Sequence, residues 1–426
     1  MTPVVPKAVT RRRAALRARV DGLAADLDHW LALTADTDAP FPQHHTQVCA
    51  LDAALRPLLA RVREGEPERS DVELSLLQEV WCRLRDALAQ RHDESVADFL
   101  LLADDFAWSC HLPALTAART VEGGDPPPVE PPLVHLTAHA VPFALPRLMG
   151  DGRRARVGEL LRALPVPLVG LPFVQSRHLP EAVLTAHEVG HCVLDAFGLA
   201  GELSALLQRT TEGADWWTDR LPEVFADLYG TLCGGSGFAF TLAEFVALTP
   251  DGPPSPRYPV PRVRVALVAD TLAEAGHPDA AAELRADWAG NPGRESAPEG
   301  LRPTVHTLLT ARLKALGGAT LLGLRPAAAA DADLRATASA LLRRAPLPAG
   351  VTPSAGLLVP AAAFAFHSNP ERYTTVASAL TERVHERAAA HRTRGLRGTV
   401  ADRPADTPEA QGARAAGRLT SLLDGW

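Results

Sequence analysis

The chain is short of the residues that build disulfide frameworks, membrane spans and β-rich cores. Its 426 residues hold five cysteines, Cys49, Cys82, Cys110, Cys192 and Cys233, and no CxxC pair. An odd number at scattered spacing argues against a disulfide scaffold and for free thiols in a reducing compartment. The N-terminal stretch has no apolar core of signal-peptide type. No uninterrupted apolar run is as long as a membrane span, and the longest, around residues 356–366, is too short. A cytoplasmic protein with no membrane partner is therefore expected. Aromatic residues make up only 5% of the chain, whereas Ala, Leu, Arg and Pro are abundant, which leans towards helix. Net charge is −7 with basic residues spread along the chain, so no nucleic-acid footprint is expected. No internal repeat is present.

What remains is an ordinary globular composition, 46% apolar, in a chain too long for one simple core. Residues 1–118 read as a helical N-terminal module. Leu16, Val20, Leu23, Leu27, Trp30 and Leu31 follow helical spacing, as do Leu74, Leu77, Trp81, Leu84 and Leu88. Such a module can carry a surface for a protein partner, but no residue in it marks a chemistry. Residues 119–132 form a Pro/Gly-rich linker containing GGDPPPVEPP. Two strand regions follow, residues 133–145 and 167–176, and their prolines favour short or edge strands. A helix is predicted from near Pro180 to a stop at Gly198. A second is predicted over residues 221–233, capped by Thr218 or Asp219. Residues 250–261 form a Pro-rich loop. Residues 290–426 read as a helical C-terminal region, looser over 392–411. The expected fold class is α+β, mostly helical, with a small mixed sheet in residues 133–289.

The chemistry is concentrated in LTAHEVGHCVLDAFG, which contains His187-Glu188-Val189-Gly190-His191. Helical positions four apart stack on one face, so both imidazoles reach one metal ion. Glu188 lies about 100° round the helix and leans over the open coordination position without being a ligand. Gly190 is expected to leave room beside the metal. A catalytic zinc site takes three protein ligands and one open position. The third ligand is sought in DRLPEVFADLYG, where Glu223 and Asp227 are again four apart. Glu223 would bind the metal, and Asp227 would accept a hydrogen bond from a ligand histidine and fix its tautomer. Glu212 and Asp195 are weaker competitors. Two imidazoles and a carboxylate suit Zn²⁺, one per chain. His135, His139, His178, His306 and His367 are expected to be structural, and the adjacent His44 and His45 to sit in a loop.

HExxH followed by ExxxD on its own helix resembles the gluzincin class of zinc metallopeptidases, the thermolysin-like zincins. The resemblance covers the two metal-site helices. It implies His187, His191 and Glu223 as ligands, Glu188 as general base and Asp227 behind the ligands. It also implies a peptide or protein substrate, held by strand addition beside the active-site helix, for which residues 167–176 are the candidate. Zincins usually add a donor for the oxyanion. Tyr258 is the best placed of three tyrosines, and Tyr258-Pro259 with Arg264 six residues on from Tyr258 is similar to the His-Pro and arginine of the CAAX-protease group, with the histidine replaced. The function so implied is zinc-dependent hydrolysis of peptide bonds. The alternatives are a catalytically silent zinc-binding scaffold or regulatory protein, and hydrolysis of a non-peptide amide.

Overall fold

Apolar residues spaced three and four apart write most of this chain into helices. The computed structural model describes the chain except residues 1–6, 36–37, 122–129, 140, 146–151, 248–254, 290–299, 325–330, 352, 395–406 and 426. In chain order its elements begin with α1 (Lys7–Thr34), α2 (His45–Glu64), α3 (Pro67–Ala89) and α4 (Glu94–Ala118). Then come β1 (Leu133–Thr137), β2 (Phe143–Leu145), α5 (Arg153–Ala163) and β3 (Leu168–Pro172). The metal-site helices and their neighbours follow: α6 (Thr185–Ala196), α7 (Leu199–Thr210), α8 (Ala214–Ala247), α9 (Pro261–Glu274) and α10 (Pro278–Trp288). The last are α11 (Leu301–Thr310), α12 (Asp331–Arg343), α13 (Ala355–Ser368), α14 (Tyr373–Arg394) and α15 (Pro408–Asp424). The fold is α+β and mostly helical, as its composition predicts. Among the described residues no single helix is long and apolar enough to cross a membrane, and none of the five cysteines forms a disulfide.

The sheet has the order β1-β3-β2, with β1 parallel and β2 antiparallel to β3. The expected strand at 133–145 is therefore two short strands. Of the expected alternatives, a short or an edge strand, β3 is the first: five residues long, but central. Its prolines do not oppose this, because Pro167 precedes the strand and Pro172 ends it, so neither removes an N–H from the ladder interior. The central position also corrects the expected docking strand. β3 is paired on both sides at residues 168–170 and cannot take a further strand there.

Strand alternation puts successive side chains on opposite faces, and here each face belongs to a different core. Leu133 and Leu168 pack with α1, α2, α3, α5 and α15. Val134, Leu136, Val169 and Leu171 pack with α4, α6, α8, α9 and α13. The two cores cut across the segments expected from sequence. Helix α4 joins the core of the metal-site helices, and α15 returns from the C-terminus to α2.

The outer edge of β1 is closed by side chains that copy a strand. The Gln90 amide donates to Leu136 O at 2.9 Å and accepts from Leu136 N at 2.7 Å. Asp104 accepts from Val134 N at 3.0 Å, and Arg91 donates to Val134 O at 2.6 Å. Arg91 also grips Asp104 at 2.7 and 2.9 Å. Paired this way, the β1 edge cannot template another chain. His44, expected in a loop, is instead a buried part of this seam, its Nδ1 2.7 Å from Gln47 Oε1.

Two buried groups, His111 and Glu130, and the half-buried His135 make stability depend on pH. Burial, aided by Arg119, depresses His111 to about 3, and burial with Arg91 depresses His135 to about 4. Both are neutral in the folded chain, whereas the unfolded chain binds protons below about pH 6.5. Stability from these groups is therefore present above about 6.5 and is lost as pH falls towards 3. Glu130 acts oppositely. Burial raises it to about 7, against the pull of Thr46, Arg119 and Gln411. Its protonated form is the one that folds, so its contribution is lost as pH rises from about 4.5 to about 7. Chemical denaturation at pH 7 and pH 5 separates the two. His111→Leu should gain roughly 2 kcal/mol on wild type over that interval, and Glu130→Gln should lose a similar amount. Parallel curves for all three proteins would refute the assignment.

Candidate metal centre

The metal-site helices approach closely because of one glycine. A Cβ on Gly190 would stand 2.9 Å from Ala226 Cα and 3.3 Å from Tyr229 Cβ. The room left by Gly190 is thus occupied by the backbone of α8, rather than kept open beside a metal as expected from sequence. Tyr229 secures the same contact from the other side, its hydroxyl donating to Cys110 O of α4 at 2.7 Å.

Both helices differ from their expected bounds. A 3-10 segment, Leu179–Leu184, precedes α6, so the α-helix begins at Thr185 rather than near Pro180. Helix α8 starts at Ala214, before the expected caps. It continues past Cys233 through a sharp break at Gly235, where φ 53° and ψ −142° suit only glycine. Phe238, just after the break, folds back over Gly230 and Gly234, where a side chain would strike its ring at Gly230 and its Cβ at Gly234.

Four-residue spacing on each helix then converges on one point. His187 Nε2 and His191 Nε2 are 3.1 Å apart. Glu223 faces both, with Oε2 3.3 Å from His187 Nε2 and Oε1 3.6 Å from His191 Nε2. One donor atom from each residue lies within 4.8 Å of the others. All three residues are buried, and so is Glu188 at 6% exposure. Among the described residues no other histidine, cysteine or carboxylate belongs to this group. Glu212 and Asp195, the competing carboxylates, are exposed.

Asp227 sits one turn below Glu223 with no exposure at all. Its Oδ1 is 2.9 Å from His187 Nδ1. Arg264 of α9 grips the same carboxylate with both arms, at 2.6 and 2.7 Å. A proton on Nδ1 is thereby shared with Asp227, and the Nε2 lone pair is turned to the Glu223 side. Sequence spacing flagged Arg264 but gave it no role. The two residues are 37 apart on different helices. The only local signal was a cation set among the apolar residues of α9.

The charges of this cluster test whether a cation belongs there. Three carboxylates, Glu188, Glu223 and Asp227, face one guanidinium, Arg264. The formal balance is −2, which is costly in a buried site and which one divalent ion cancels. The electrostatic surroundings of His187 and Asp227 act in the same sense. Burial pulls His187 down, but Asp227 and then Glu223 outweigh it and raise the imidazole to about 9. Burial pushes Asp227 up, and Arg264 and His187 more than reverse this, holding it ionised. The residues fit a metal ion, with two imidazoles and a carboxylate as donors.

Tyr258 is 55% exposed, unlike the buried centre. Its backbone N–H donates to Ser255 Oγ at 3.2 Å in a turn. Comparison of the chain with protein families, with curated proteins and with solved structures gives no match.

Purified protein should bind one divalent ion per chain, and the His187→Ala, His191→Ala double variant should bind none. Glu223→Ala should weaken binding far more than Glu212→Ala. Gly190→Ala should weaken it too, by forcing α8 and Glu223 away from α6. Below about pH 9 the ion must displace a proton from His187, so apparent affinity should fall about tenfold per pH unit. Titration calorimetry at several pH values in buffers of differing ionisation enthalpy reads both affinity and proton release. Binding without proton release at pH 7 would contradict this account.

Proposed function

We propose that the protein is a zinc-dependent hydrolase that cleaves peptide bonds. The observation that carries the reading is Glu188, a buried carboxylate one residue from a ligand histidine and outside the ligand set. A site that only held a metal for structure would need no such group and would close its fourth position with cysteine or histidine. Two imidazoles and one carboxylate favour zinc over hard oxygen-seeking cations.

Zinc, when bound, supplies a Lewis acid that makes water nucleophilic near neutral pH and stabilises developing negative charge. The chain's own groups do the rest. His187, His191 and Glu223 would hold the ion, and Glu188, outside that set, would act on the water. Glu188 takes the proton of the attacking water and returns it to the departing amine. Asp227 and Arg264 keep the His187 ring in one tautomer while the charge around it changes. Among the described residues one strand edge has no paired neighbour, and an extended substrate would add there. The β1 edge is sealed and β3 is paired on both sides, which leaves β2, antiparallel to β3 and packed near α6. Strand addition at β2 fits a peptide backbone better than a small amide. Tyr258 keeps a role as oxyanion donor only if its loop turns inward when substrate binds.

Glu188→Gln separates the enzyme from a silent metal-binding protein. The variant should fold, keep its zinc and lose at least about two orders of magnitude in cleavage rate. Peptide libraries digested by wild type and variant, with products read by mass spectrometry, supply the substrate. Equal cleavage by both would remove Glu188 as the base. No cleavage by zinc-loaded wild type across broad libraries would favour the scaffold.

A further inference from the structure

On the opposite core, an open groove of about 660 Å³ runs between α1 and α3. Leu23 and Trp81 form its floor, and Arg19 and Arg85 stand at its rims. Gly22 also lines it. This glycine lies in the middle of a 28-residue helix, where it costs roughly 0.5–1 kcal/mol relative to alanine. Nothing inside the molecule explains it. Its φ is not in the left-handed region, and a Cβ built on it meets no atom within 4 Å. A helical glycine facing open space at the lip of an apolar groove leaves room for something from outside to approach the backbone closely.

The charges along the same stripe indicate what approaches. Lys7, Arg11, Ala15, Arg19, Gly22 and Asp26 follow one another at steps of three and four, so they share one side of α1. Arg19 is held by Asp71 and Gln78, and Asp26 by the Trp81 N–H and Arg85. Lys7 and Arg11 have no ion-pair partner among the described residues and are exposed. From Gly22 to Arg11 is about 16 Å of helix, three turns. The surface therefore has a narrow apolar floor at one end, Leu23 and Trp81 being 6% and 2% exposed, and exposed cations at the other.

We propose that this face of the N-terminal helices docks an amphipathic helix of a partner protein. That helix would place a large apolar side chain against Gly22, Leu23 and Trp81, and carboxylates three turns away against Lys7 and Arg11. A bilayer or a nucleic acid fits less well. The stripe offers no apolar row that could enter lipid, and the rest of the chain is acidic and repels extended polyanions. The proposal does not depend on the metal centre.

Cys82 supplies the readout, because it lines the groove and is exposed. The probes are two synthetic helical peptides of about 18 residues. Each carries three glutamates in one terminal turn and a Leu–Trp pair about three turns away, in the two possible orders. The same peptides with lysine for glutamate are the controls. Alkylation of Cys82 by iodoacetamide, mapped by mass spectrometry, should slow at least about tenfold at saturating acidic peptide in one of the orders. Alkylation of Cys49 should not change. Gly22→Leu should weaken binding at least about tenfold without lowering the unfolding midpoint, since the new side chain fills the groove and improves the helix. Lys7→Gln with Arg11→Gln should weaken it several-fold, roughly, and reduce its salt dependence. The proposal is overturned if neither acidic peptide protects Cys82 at millimolar concentration, if Gly22→Leu binds as wild type, or if the lysine peptides bind as well. It is also overturned if duplex DNA or vesicles of phosphatidylcholine and phosphatidylserine protect Cys82 where the peptides do not. Self-association of the chain that Gly22→Leu abolishes would make a second copy the occupant and overturn it likewise.

Discussion

Asp227 is a carboxylate with no exposure to water, and keeping it ionised organises everything around it. A lone charge in that position would neutralise rather than persist. Two neighbours prevent this: Arg264 binds both oxygens, and His187 meets one of them from the other side. Removing one partner of such a buried pair typically costs 3–5 kcal/mol, roughly, because the other is left charged and unpaired. The consequence reaches three helices. Arg264 fixes α9 to α8, and His187 fixes α6 to α8, through the same carboxylate. Glu223, one turn above Asp227 on α8, is then carried to the Nε2 side of the ring that Asp227 holds by Nδ1. Ligand and orienting group come as a unit from one helix turn.

The sheet serves this arrangement as a partition. Its alternating side chains divide the metal-site core from the core of the N-terminal helices, and neither face is wasted on solvent. A three-stranded sheet ordinarily has two free edges. Here Gln90, Arg91 and Asp104 complete β1 with side-chain groups, and one edge is left. The partition also binds the halves together. Arg91 follows α3 and Asp104 lies in α4, so the ion pair that seals the strand joins elements of both cores.

Local spacing was enough to find the centre, because its geometry is written in steps of four. His187 and His191, and then Glu223 and Asp227, stack by the helical repeat, and no tertiary knowledge is needed to place each pair on one face. That the pairs face one another could be read only by resemblance. The role of Gly190 was misjudged for the same reason. Its missing side chain was visible, but the atom that fills the space belongs to Ala226, on another helix. Long-range polar contacts carry no partner information in sequence. Gln90 reaches Leu136 across 46 residues and Arg264 reaches Asp227 across 37. The return of α15 to α2 did leave a trace. Gly412 is held against Ala50 O and Ala53, where a Cβ would stand 2.4 and 2.5 Å away. With Ala415, Ala416 and Leu419 it forms a narrow face suited to a close neighbour, but which neighbour is a tertiary fact.

The charge balance of the centre also bears on how binding and stability are linked. In the ion-free protein a proton on His187 offers one positive charge where the formal excess is −2. Protonation therefore satisfies part of the electrostatic demand and leaves a formal charge of −1 in the buried site. A divalent ion removes all of it and replaces the proton on the ring. Binding to the folded chain alone stabilises it by RT ln(1 + [L]/Kd), about 4 kcal/mol at a thousandfold excess over Kd. Because the same residues are the contact between α6 and α8, that stabilisation acts on the helix pair itself rather than on a peripheral loop. Low solvent access strengthens both effects, since field lines between the carboxylates and the ion pass through protein rather than water. A centre built this way would be held in shape by a cation, with two carboxylates outside the ligand set, Asp227 behind the His187 ring and Glu188 beside it.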